Sequence, residues 1–110
     1  MKNLLQETLD ILKSNKKTSQ DVKWIGTTEF GKFTWEDFER LADISYDSGY
    51  GGNKITSDLV IVGKNWWLER GEYDGAEWWE FKTLPKAPKI NKVPFTLKTG
   101  WRDLSETEEM

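Results

Sequence analysis

The stretch Trp66-Trp67-Leu68-Glu69-Arg70-Gly71-Glu72-Tyr73-Asp74-Gly75-Ala76-Glu77-Trp78-Trp79-Glu80-Phe81 decides how this chain folds. Asp74-Gly75 is a two-residue hairpin signal, because both central residues of a type I′ turn need positive φ, which Gly adopts freely and Asp tolerates. Pairing Tyr73 with Ala76 sets Arg70 opposite Trp79 and Leu68 opposite Phe81. Side chains alternate between the faces of a strand, so Trp66, Leu68, Arg70, Trp79 and Phe81 share one face, the expected core wall. Trp67 and Trp78 then go to the opposite face with Glu69, Glu80 and Lys82. An odd-length loop from Gly71 to Gly75 would instead put Trp67 beside Trp79; the even register is preferred because it gathers more apolar residues on one side. It also sets Glu69 against Glu80, a like-charge pair costing up to about 1 kcal/mol unless a cation such as Lys82 intervenes.

Four of the seven tryptophans of the chain lie in these two doublets. Each can bury roughly 150–250 Å², or about 4–6 kcal/mol of transfer free energy. Two readings of Trp67 and Trp78 stay open. A helix or the proline-containing C-terminal segment would cover them as a second core layer, or they stand exposed on a recognition face, where Trp, Tyr and Arg dominate binding energy.

Outward from the hairpin, Leu4, Leu5, Thr8, Leu9, Ile11 and Leu12 recur at helical spacing and predict an amphipathic helix ending near Asn15. Val22 to Thr27 reads as a strand, with Val22 and Trp24 on one side and Lys23 and Ile25 on the other. A turn around Thr28 to Gly31 follows, flanked by Phe30 and Phe33. Thr34 caps a second short helix carrying Trp35, Phe38, Leu41 and Ala42 on one face. Asp43 to Lys54 is a glycine-rich loop containing Tyr46 and Tyr50, and Leu59-Val60-Ile61-Val62 reads as a buried strand that leads through Gly63-Lys64-Asn65 into the hairpin as a three-strand meander. After Lys82, Pro85, Pro88 and Pro94 mark an extended segment with apolar anchors at Ile90, Val93, Phe95, Leu97 and Trp101. The expected fold is α+β: an antiparallel sheet of about four strands with two short helices packed on it, one domain over residues 1–84, and an extended C-terminal segment over 85–110.

The chain has no cysteine and no histidine. Disulfides, thiolate metal sites and the commonest general base are therefore excluded, and no cofactor is expected. A net charge of −3 with interleaved signs argues against direct nucleic-acid binding. No apolar run approaches the roughly 18 residues of a membrane span, and Gln6, Glu7 and Asp10 interrupt the only segment resembling a signal-peptide core, so a cytoplasmic setting is expected. Gly49 to Lys54 lacks the Lys-Ser/Thr ending of a phosphate loop. Glu69, Glu77 and Glu80 would supply paired carboxylates for glycoside chemistry, but acidic residues on a small hairpin are usually solvated. Asp43, Asp47, Asn53 and Asp58 do not follow the alternating pattern of a calcium loop. No enzymatic activity is expected.

The run Asp58 to Arg70, continuing through Glu72-Tyr73-Asp74-Gly75 to Glu77-Trp78-Trp79-Glu80-Phe81, resembles small uncharacterised proteins encoded in prophages and mobile elements of Firmicutes, as do Asp21 to Gly26 and the Asp47 to Gly52 loop. The resemblance implies a phage or mobile-element context, and small accessory proteins of that context often bind host machinery or block defence systems. The expected function is thus a non-enzymatic protein that inhibits or redirects a host protein, such as a CRISPR nuclease or another defence component. Its candidate binding residues are Trp67, Trp78, Glu69, Glu80, Arg70, Lys82 and Tyr50. The alternative is a small-ligand binder sequestering a nucleotide signal, with Trp67, Trp78 or Tyr50 stacked on the base and Arg70 or Lys82 meeting phosphate. A carbohydrate-binding module is a third class.

Overall fold

The computed structural model describes residues 1–47 and 54–89. Its elements are β1 (Lys2–Asn3), α1 (Leu4–Ser14), a 3₁₀ turn (Ser19–Asp21), β2 (Val22–Thr27), β3 (Gly31–Phe33), α2 (Trp35–Leu41), β4 (Ser45–Tyr46), β5 (Val60–Gly63), β6 (Trp66–Tyr73) and β7 (Ala76–Thr83). β3, β2, β5, β6 and β7 form one antiparallel sheet in that order, and β1 pairs with β4 in a second, two-stranded sheet. The fold is α+β, with one strand more in the main sheet than the hydrophobic pattern predicts. β3 has three residues and β1 and β4 two each, too short to leave an alternation in the sequence.

Local chemistry sets the helix limits. Asn3 accepts the Gln6 N–H at the start of α1, and Thr34 accepts the Asp37 N–H at the start of α2. α1 ends in a Schellman pattern, with the Lys17 N–H on the Leu12 carbonyl and the Lys16 N–H on the Lys13 carbonyl. Lys16 adopts φ of 60° there, a position more often held by glycine.

Both helices lie on one face of the main sheet. Leu4 and Leu12 from α1 and Phe38 from α2, with Ala42 just beyond it, join Ile25, Ile61, Trp66, Leu68 and Trp79 in a single core. The Trp79 indole N–H donates to the buried Thr8 hydroxyl at 2.8 Å, tying the hairpin to α1. Gly63 lets the Trp66 ring lie against the backbone, since a Cβ there would sit 2.1 Å from the ring.

The hairpin adopts the even register. Tyr73 pairs with Ala76, Arg70 with Trp79 and Leu68 with Phe81, and Asp74 and Gly75 have φ of 51° and 85°. Two expectations are corrected. Val22 does not share a side with Trp24: an irregularity between these residues turns Val22 toward the core with Ile25 and leaves Trp24 39% exposed. The β5 region is not buried on both faces either: Leu59 and Ile61 are buried, while Val60 and Val62 are half-buried because both helices pack on the other side. Tyr50, the glycine-rich loop over 48–53 and the apolar anchors from Ile90 onward lie outside the described residues. Among those described, no helix is long and apolar enough to cross a membrane.

Candidate functional site

The helix-free face of the sheet carries the residues singled out in the hairpin. One row across the strands is Trp24, Val62, Trp67 and Lys82; the next is Lys32, Gly26, Val60, Glu69 and Glu80; a third is Gly71 and Trp78. Trp67 and Trp78 are half-buried and belong to no core cluster. Trp24 and, at the hairpin tip, Tyr73 share the face; Tyr73 is 75% exposed. Neither was expected at the site. The register irregularity that frees Trp24 depends on pairing with β5, but the even register already places Tyr73 on the Trp67 side.

The two Trp–Glu pairs are built alike. The Trp67 indole N–H donates to Glu69 at 2.7 Å and the Trp78 indole N–H donates to Glu80 at 3.1 Å, each bond running two residues along its own strand. Glu69 and Glu80 face each other across β6 and β7, with the Lys82 ammonium 3.7 Å from Glu80. Two indole donors and one lysine therefore offset the like-charge contact. Gly71, opposite Trp78, completes the surface: a Cβ there would lie 2.6 Å from the Trp78 indole nitrogen and 2.8 Å from the Glu80 carboxylate. The absence of a side chain is what lets that ring and carboxylate lie across β6.

Trp67, Trp78, Glu69, Glu80 and Lys82 thus come together on one face, and Arg70 does not. Its expected role in binding is corrected, because its side chain is only 2% exposed and points to the helix side. The Arg70 guanidinium donates to Glu77 at 3.1 Å and to the Tyr46 hydroxyl at 3.0 Å, lies 3.6 Å from Glu7, and stacks 4.8 Å from the Trp79 ring centroid. Tyr46 in turn donates to Glu7 at 2.5 Å. Burial, reinforced by that bond to Glu7, pushes the Tyr46 hydroxyl up to about 12. Glu77 also accepts the backbone N–H groups of Lys54 at 2.6 Å and Ile55 at 3.1 Å. The cluster therefore holds Tyr46 and the Lys54–Ile55 backbone, on either side of the glycine-rich loop, against the hairpin, and the Arg70 charge is met by Glu7 and Glu77 within the fold.

Sequence reasoning missed a second feature. Between α2, the β2–β3 turn and residues 54–59 runs an apolar groove of about 660 Å³, floored by Phe38, Ile55 and Leu59. Phe30, Leu41 and Ile44 stand on its rim at 71%, 59% and 48% exposure. Its only signal in the sequence is Leu41 and Ile44 falling at the edge of a short helix. Among the described residues no group of three or more carboxylates is arranged to hold a metal ion.

Fold and site together define an α+β protein whose five-stranded antiparallel sheet carries both helices on one face and an aromatic, carboxylate-bearing surface on the other. No protein-family model, curated protein or solved structure matches this chain.

Proposed function

We propose that this chain is a non-enzymatic recognition protein that docks on a host protein through the sheet face centred on Trp67 and Trp78. In the phage or mobile-element context that the resemblance implies, docking inhibits or redirects that host protein, a bacterial defence component such as a CRISPR nuclease being the class in view. The observation that carries the reading is the placement of Trp24, Trp67 and Trp78 on a face that neither helix covers. Half-exposed tryptophans bring large contact area at low entropic cost, and losing one from an interface can cost about 2 kcal/mol or more. The protein acts in the bacterial cytoplasm in this reading, without cofactor.

The test is recovery of the tagged chain from a host lysate followed by native mass spectrometry, with the Trp67→Ala/Trp78→Ala variant beside it. A stoichiometric protein partner lost in the variant, with the circular dichroism of the fold retained, supports the proposal. A partner retained at full stoichiometry by the folded variant refutes this face as the site.

The apolar groove favours small-ligand binding as a second reading, since its volume lies in the range of small-molecule sites. Its lining fits an apolar ligand better than a nucleotide, and Arg70 is withdrawn from any phosphate contact. A retained mass of a few hundred daltons without a protein partner would move this reading first.

A further inference from the structure

The two Trp–Glu units are related by a local twofold axis between Glu69 and Glu80: Trp67 maps onto Trp78, Glu69 onto Glu80 and Gly71 onto Lys82. The face thus has two carboxylates at its centre and an indole on either side, each indole turned inward by its bond to the nearer carboxylate. Directly opposed residues of an antiparallel pair have Cβ atoms about 5 Å apart, so Glu69 and Glu80 leave the sheet side by side, each carboxylate held to its own indole. Lys82 reaches Glu80 alone, and among the described residues no ion pair is made by Glu69. Because the indole N–H groups are already donating, what the tryptophans still offer a partner is their ring faces.

We propose, resting on the docking role of this face, that the partner presents paired arginines, carried two apart on an extended segment or four apart on a helix, to the Glu69–Glu80 centre. A guanidinium is the side chain that satisfies both components at once. Its plane stacks on an indole face while its edge donates to a carboxylate, and Arg is more weakly hydrated than Lys and so gives up less on leaving water. The spacing agrees, since residues two apart on a strand lie about 6.5–7 Å apart and residues four apart on a helix about 5–6 Å. A neutral or acidic segment would leave Glu69 desolvated without a cation, which selects against it.

The probe is the peptide acetyl-Gly-Arg-Gly-Arg-Gly-amide, titrated into the full-length ¹⁵N-labelled chain while the indole N–H resonances are followed, with the citrulline analogue of the same peptide as the neutral control. The Trp67 and Trp78 signals should shift in a saturable way with the arginine peptide, and those of buried Trp66 and Trp79 should not. The Glu69→Gln/Glu80→Gln variant keeps an acceptor for each indole and removes the charge; it should bind the peptide at least about tenfold more weakly, and added salt should weaken the wild-type interaction. Equal shifts with citrulline, unchanged affinity in the double Gln variant, or unmoved Trp67 and Trp78 signals each overturn the inference. If Trp67→Ala/Trp78→Ala still loses its protein partner in that event, the docking role stands and only the arginine chemistry falls.

Discussion

Glu77 offers the most direct check on how the hairpin is held to the rest of the molecule. Its side chain is 2% exposed, and its carboxylate accepts from Arg70, Lys54 and Ile55. In Glu77→Gln the amide oxygen can still accept a backbone N–H, but the buried guanidinium loses its shortest ion pair and is left with the Tyr46 hydroxyl, the Trp79 ring and the charge of Glu7 at 3.6 Å. Removing one partner of a buried pair costs about 3–5 kcal/mol because the other charge stays buried, and the whole stability of a domain this size is about 5–15 kcal/mol. At about 4–8 °C per kcal/mol, the melting temperature should fall by at least about 12 °C. Arg70→Met removes the cation and leaves Glu77 with its two backbone donors, so its cost should be smaller. The double variant should cost less than the sum of the singles, with a coupling of about 2 kcal/mol or more. Urea unfolding followed by tryptophan fluorescence measures all three, Trp79 being a reporter because it stacks on Arg70. A Glu77→Gln cost below about 1 kcal/mol, or single costs that add to within about 0.5 kcal/mol, would refute a closed, desolvated pair.

Gly63→Ala should destabilise by about 1–3 kcal/mol, because the new Cβ meets the ring of a buried tryptophan with nowhere to move; a neutral substitution in the same urea assay would show that Trp66 is not seated there. The neutral form of Tyr46 is favoured in the fold, so its contribution is complete below pH 10.0 and lost as the pH rises toward about 12. An ultraviolet phenolate titration should show one late-titrating tyrosine that disappears in Tyr46→Phe; a variant with the same titration curve as wild type counts against the Glu7 contact. Leu41→Ser, at a residue 59% exposed on the groove rim, should lower the fluorescence of a bound apolar dye while changing stability by less than about 1 kcal/mol. A loss above about 2 kcal/mol would instead mean that the rim is covered in solution.

The hairpin was legible from residues alone because two local constraints agree. Asp74-Gly75 fixes the turn, and the two-residue period then assigns every side chain from Trp66 to Phe81 to a face without reference to the rest of the chain. The helix start at Thr34 is equally local, resting on one side-chain oxygen within a turn of its donor. The shared face was legible to the same extent: Trp67, Trp78, Glu69, Glu80 and Lys82 fall on it by parity, and Arg70 and Trp79 on the other.

Tertiary structure decided what parity leaves open, namely which face is covered and what meets a charge on the covered side. Period two placed Arg70 on the core face, but its partners Glu7, Tyr46 and Glu77 come from α1, β4 and β7, and only their convergence turns a candidate ligand contact into a buried pair. Trp24 reached the helix-free face through a register irregularity that exists only once β2 pairs with β5. The groove arises where the end of α2 meets a turn and a loop distant in sequence, so no periodicity encodes it. Hydrogen-bonded turns and side-chain alternation act between neighbours and can be read from the chain; coverage and charge pairing act between segments far apart in it, and exist only after the chain has closed on itself.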